Sequence, residues 1–167
     1  MTIHGNVIGF DPGNSGAWAL LDTAGNLLDH GRFPLRKHGR RKVVSALDLA
    51  WTLRDQDIRH AAVEEVHAMP GQGVSSMFTF GRSLGAIEGL LGAWGLTPAY
   101  YRPKAWQAVT LEGLPRGTQV KQSAVARAIE LWPDLEDTLA AKAAWGIADA
   151  ALIAECYRRD LVAGEAT

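Results

Sequence analysis

A chain of 167 residues, 47% hydrophobic and 21% charged, is long enough for one domain with its own core and too short for two large ones. Gly or charge breaks every apolar stretch well before about 18 residues, which argues against a membrane-spanning helix. The single cysteine, Cys156, excludes an internal disulfide and a cysteine-built zinc site.

The opening Met1-Thr2-Ile3-His4 lacks the basic-then-apolar order of a signal peptide, so a cytoplasmic location is expected. A net charge of −1 argues against broad attraction to phosphate, but the charge is uneven. Residues 32–42 carry six Lys/Arg and no acid, including Arg36, Lys37, Arg40, Arg41 and Lys42. A second basic sector runs through Arg102, Lys104, Arg116, Lys121 and Arg127. Residues 32–42 read equally well as a solvated basic loop or as a nucleic-acid contact.

In chain order, Val7-Ile8-Gly9-Phe10 predicts a short buried strand, ending in the turn Asp11-Pro12-Gly13-Asn14-Ser15-Gly16. A second strand follows from Ala17 to Leu21, then a hairpin turn at 23–26 and a third strand over 27–33. Apolar spacing at Val43, Val44, Leu47, Ala50 and Trp51 predicts a first helix over 43–55. Ala61-Ala62-Val63-Glu64 predicts a strand parallel to the first, completing a βαβ unit.

A Gly/Pro/Ser loop over 69–76 then leads into a long helix, roughly 77–94. Gly81, Gly85, Gly89 and Gly92 mark nearly one face of it. Glycine costs about 1 kcal/mol at a helix-interior position, so this face implies close approach to the sheet or to a second copy. A short strand over 97–102, a loop to 117, a helix from a Thr118 cap to Trp132 and an amphipathic helix over 147–158 complete the pattern. The tail after Leu161 is expected to fray. The order predicts an α/β fold: a mixed five-stranded sheet with helices on both faces, in one domain spanning 1–167.

Acids at the ends of buried strands carry the chemistry. Asp11 leaves the first strand, Glu64 ends the parallel one, and Asp149 lies at the start of the last helix. Each has a plainer reading: Asp11 as a turn former, Glu64-Glu65 as a solvated strand end, Asp149 as a helix cap. Crowded together, three carboxylates would repel and raise each other's pKa unless a cation neutralised them. Hard oxygen donors without sulfur suit Mg²⁺ or Mn²⁺, and two such ions support in-line phosphodiester hydrolysis.

Several segments, in order along nearly the whole chain, resemble the RuvC family of Holliday junction resolvases in the RNase H-like superfamily. Val7-Ile8-Gly9-Phe10-Asp11-Pro12-Gly13 is similar to the family's opening strand, and Ala62-Val63-Glu64-Glu65-Val66-His67 to its second acidic strand. Met69-Pro70-Gly71-Gln72-Gly73, with Ser76-Met77-Phe78, Phe80-Gly81-Arg82 and the glycine-spaced helix, resembles the bacteriophage-type branch. Arg102-Pro103-Lys104-Ala105-Trp106 and Ala148-Asp149-Ala150-Ala151-Leu152-Ile153-Ala154 resemble the family's later motifs.

The resemblance implies a homodimer of RNase H-like subunits in a bacterial or phage-infected cell. Each would hold two Mg²⁺ ions on Asp11, Glu64 and Asp149 and nick branched DNA, leaving 5′-phosphate and 3′-hydroxyl ends. Lys121 matches a basic residue near the family's active site and would contact the scissile phosphate. Arg82, Lys104 and the 36–42 cluster would contact DNA, and Met77, Phe78 or Phe80 would wedge into the branch point, with core packing as the alternative for these three. The family generally places another acid or His shortly before its last Asp; residues 142–147 here contain neither.

Other readings stay open at this point. Residues 11–16 also resemble the phosphate turn of actin-like and sugar-kinase ATPases, whose two-domain architecture exceeds this length. A junction-binding protein with little or no cleavage, or a nuclease of RNA–DNA hybrids, would share the same acids.

Overall fold

The computed structural model describes residues 3–12, 16–39, 41–65 and 73–165, with the side chains of Arg41 and Glu165 excepted. A five-stranded sheet is ordered β3-β2-β1-β6-β7, comprising β1 (Asn6–Asp11), β2 (Ala17–Leu21), β3 (Leu27–Arg32), β6 (Ile58–Glu64) and β7 (Ala99–Tyr101). β1–β2 and β2–β3 pair antiparallel, whereas β1–β6 and β6–β7 pair parallel. The mixed sheet and the βαβ crossover expected from the sequence are both present.

Side chains alternate across the pleat, so each central strand feeds two cores. Val7, Ala17, Ala19, Leu21 and Ala62 meet Trp106 of α3 (Pro103–Thr110), Ala124 and Ala128 of α4 (Val120–Leu131), and α6 (Trp145–Glu165). Ile8, Phe10, Trp18, Leu20, Ala61 and Val63 meet Leu49 and Leu53 of α1 (Ala46–Leu53) and Ile87, Leu90 and Leu91 of α2 (Val74–Ala93). A short α5 (Glu136–Leu139) lies on the first of these faces, Leu139 joining its core.

α6 departs from the amphipathic expectation, because residues 146–156 are buried almost without interruption. That buried stretch is apolar apart from Asp149 and Glu155, and its small Ala residues let it lie close to the sheet. The approach is closest over Gly9, where a Cβ would stand 2.1 Å from the Ala150 carbonyl oxygen and 2.7 Å from the Ala154 nitrogen. Of the two approaches expected of the α2 glycines, to the sheet or to a second copy, the first is made here at Gly9 instead. Gly81, Gly85, Gly89 and Gly92 face outward, and a Cβ added at any of them would meet nothing within 4 Å.

Other expectations are corrected. Residues within 32–42 form no irregular loop but part of an antiparallel ribbon, β4 (Leu35–His38) and β5 (Arg41–Val44), separate from the main sheet. Val43 and Val44 belong to β5 and are buried there, so α1 begins at Ala46, capped by Ser45 accepting the Asp48 amide at 3.3 Å. Their apolar spacing fitted a helix only because the alternation of a two-valine strand end is too short to distinguish. α3 follows β7 directly where a loop was expected, with Pro103 in its first turn. Thr118 lies in a 3₁₀ turn before α4 and does not cap it. The helix at the C-terminus continues past Leu161 to Glu165. Among the described residues, no helix is long and apolar enough to cross a membrane.

Candidate active site

The register positions the acids. Phe10 pairs with Val63, so Asp11 and Glu64 follow one step further along adjacent parallel strands. By alternation both share the face of Val7, Gly9 and Ala62, which is the face α6 covers. Because Ala150 sits over Gly9, Asp149 arrives beside the C-terminal end of β1. Asp11 and Asp149 are 8% and 3% exposed.

Electrostatics record this convergence. Burial, chiefly, and then the charges of Asp11 and Asp149 push the Glu64 carboxyl up to about 7, against the pull of Trp106 and Lys121. Burial also pushes Asp149 up to about 6; Lys121 draws it down and Asp11 raises it further. The Lys121 ammonium hydrogen-bonds Asp149 Oδ2, although the lysine side chain is 56% exposed. Burial works against the charged lysine, but Asp149, Asp11 and Glu64 together raise its pKa. The two acids titrate high despite a cation nearby because desolvation and mutual repulsion outweigh one partly exposed lysine.

Trp106 is a site residue that the sequence did not single out beyond its place in a motif. Its Nε1–H donates to Glu64 Oε1 at 3.0 Å from an otherwise buried ring. A tryptophan three residues after a helix-starting Pro was the available signal, since it points a large side chain back under β6. Glu65 turns away to pair with Arg102 Nε at 3.0 Å, so the two adjacent glutamates part.

The structure brings Asp11, Glu64, Asp149 and Lys121 together. Donor chemistry fits a hard divalent cation: three carboxylates, two of them made protonation-prone chiefly by burial and then by mutual repulsion, which a cation would offset. Among the described residues, however, no group of three His, Cys, Asp or Glu side chains stands ready to hold a metal. Lys121 occupies Asp149, Trp106 engages Glu64, and the first turn of α6 offers no acid.

The other DNA-contact candidates lie elsewhere. Phe78 is 59% exposed, which overturns core packing for it, and the Arg82 guanidinium sits 5.8 Å from its ring centroid. Lys104 is exposed on α3. Arg102 and Arg127 of the second basic sector are taken up by Glu65 and Glu130. Arg36, Lys37 and Lys42 lie exposed on the ribbon. Arg40, the side chain of Arg41, the turn residues Gly13-Asn14-Ser15, and Val66-His67 with Met69-Pro70-Gly71-Gln72 lie outside the described residues.

A central parallel pair ending in acids, two antiparallel strands on one side, and a buried helix delivering a third acid define the RNase H-like fold. Within that class the chain is similar to RuvC. The structure of T. thermophilus RuvC in complex with a Holliday junction substrate matches it with a TM-score of 0.69 at 16% identity, covering 92% of each chain. A Thermus thermophilus RuvC structure gives a TM-score of 0.62 at 19% identity, covering 95% of this chain and 96% of that one. No family model matches the sequence, and no curated protein matches it.

Proposed function

We propose that this chain is a structure-specific endodeoxyribonuclease acting on four-way DNA junctions, one nuclease domain over residues 1–167. The carrying observation is the convergence of Asp11, Glu64 and Asp149 at one end of a RuvC-like sheet. The similar T. thermophilus protein was solved with a Holliday junction substrate, which supports the choice of DNA.

In this reading Asp11, Glu64 and Asp149 would hold two Mg²⁺ ions, with Mn²⁺ as a substitute. Such ions supply Lewis-acid polarisation of the phosphate and lower the pKa of water. Trp106 fixes one Glu64 oxygen, leaving the other for a cation. With a cation bound by Asp149, the Lys121 ammonium would be released from that carboxylate and free to meet the scissile phosphate. Water attacks phosphorus, the bond to the 3′ oxygen breaks and that oxygen takes a proton, leaving 5′-phosphate and 3′-hydroxyl ends. A homodimer across the outward face of α2, where Val74 and Phe78 stand exposed in line with the four glycines, would nick two strands symmetrically.

A second reading has its own support. With no acid in the first turn of α6 and Lys121 bonded to Asp149, the chain would bind junctions and cut them poorly.

One experiment separates them: incubation of a labelled synthetic junction, linear duplex and RNA–DNA hybrid with Mg²⁺, Mn²⁺ or chelator. Paired nicks near the branch point that vanish with chelator are the expected result. Junction binding without nicking in either metal selects the second reading, and neither binding nor nicking overturns both.

A further inference from the structure

The basic stretch that reads as a loop in sequence is a two-stranded ribbon whose base is fixed to the acidic end of the sheet. β3 runs parallel to β1, and Arg32 at its end pairs with Ala17, which pairs with Asp11. The chain then passes Phe33, whose amide donates to the Gly16 carbonyl and whose ring stacks on Phe10 at 6.1 Å, one residue before Asp11. The Ser45 amide donates to the Pro34 carbonyl and closes the base, where Leu35 pairs with Val44. β5 packs against α2. From that base four residues per strand reach about 13 Å outward.

The ribbon's charges are opposed rather than compensated. Lys37 pairs directly with Lys42, and His38 with Arg41. Like charges facing each other across an antiparallel pair destabilise it. Among the described residues no carboxylate forms an ion pair with Arg36, Lys37 or Lys42. Burial is confined to Val43 and Val44 of β5, while all of β4 and Lys42 are exposed, so the opposed lysines lie outside the buried part of the ribbon.

We infer that the β4–β5 ribbon grips the phosphate backbone of one duplex DNA arm, with Lys37 and Lys42 sharing its phosphates, and holds that arm at a fixed distance from the Asp11–Glu64–Asp149 site. Opposed lysines are stable when an anion lies between them, and a two-stranded ribbon has the width to enter a major groove about 12 Å across. Phosphate contacts carry no base information, so the grip is independent of sequence. The inference rests on the nuclease reading only for what lies at the sheet end; the contact with duplex is separate from cleavage.

The test is Lys37→Glu, which places a carboxylate opposite Lys42 and removes the repulsion. Binding to a synthetic four-way junction and to a linear duplex of one arm's sequence is measured in chelator across a salt series, with thermal melting alongside. The expected result is an unchanged or higher melting temperature, about tenfold weaker binding to both DNAs, and a salt dependence shallower by roughly one to two in log–log slope. If Lys37→Glu fails to fold, the Lys37→Gln, Lys42→Gln pair is measured in its place. Wild-type affinity and slope in a folded variant overturn the ribbon inference and leave the nuclease reading standing. Absence of DNA binding by the wild type overturns both.

Discussion

At the residue scale, the site depends on how burial and charge act on a few side chains. Asp11 ends a buried strand beside two other acids, and its role in the proposed reaction is to lend a charged oxygen to a cation. Asp11→Asn keeps the shape and removes the charge. Its cleavage of a junction should fall by about a hundredfold or more, beyond the 10–100-fold cost typical of losing an outer partner of a metal ligand. Junction affinity in chelator should hold or rise, since a negative charge near phosphate has gone. Gel-shift and cleavage assays on the same preparation read both, and retained cleavage would remove Asp11 from the metal site.

At the scale of elements, two kinds of glycine act in opposite senses. Gly9 is where α6 crosses β1, and an added methyl there meets backbone rather than a movable side chain. Gly9→Ala should therefore cost about 1–3 kcal/mol as overpacking, read by denaturant unfolding, and should disturb the placement of Asp149. Gly85 faces outward with open space around it. Gly85→Ala should stabilise the isolated chain by up to about 1 kcal/mol through helix propensity alone. If α2 mediates the proposed dimer by close approach, the same change weakens association, which sedimentation over a concentration series detects. Stabilisation without any change in association would place the dimer contact elsewhere.

For the molecule as a whole, one ion cluster joins the far end of α6 to the sheet. Glu155 is 5% exposed and accepts from Arg158 and Arg159, while Arg158 also donates to the Thr23 carbonyl at 3.2 Å in the β2–β3 turn. Burial raises the Glu155 pKa, but the hydrogen bonds and charges of the two arginines outweigh it and the net shift is downward. A depressed carboxylate stabilises the fold above its unfolded pKa and loses that contribution as pH falls through the lower folded value. Glu155→Gln should therefore cost about 2–3 kcal/mol near neutral pH, under the range for fully buried pairs because Arg159 is 42% exposed. That difference should narrow as pH falls below about 4, the carboxylate range. Equal pH profiles for the two proteins would mean that the cluster does not couple to folding.

Local pattern by itself determined the two antiparallel strands, the parallel fourth strand, the long helices and the acids at two strand ends and near the start of the last helix, because period, turn residues and buried strand ends are local signals. It placed Asp11, Glu64 and Asp149 at positions that could meet, and the register with the Gly9–α6 crossing then brought them together. Tertiary structure alone decided the rest. Leu35–His38 pair with Arg41–Val44, a choice that basic composition conceals and that the docking of Phe33 and Val44 into the core fixes. Phe78 and the α2 glycines could be core or surface on spacing alone; the side of α2 that Ile87, Leu90 and Leu91 bury settles them as surface. The Trp106–Glu64 bond joins residues 42 apart, and residues 146–156 of α6 are buried because both neighbouring helices and the sheet cover them. What buries the ribbon's base, one side of α2 and α6 lies across the fold, outside any short window of sequence.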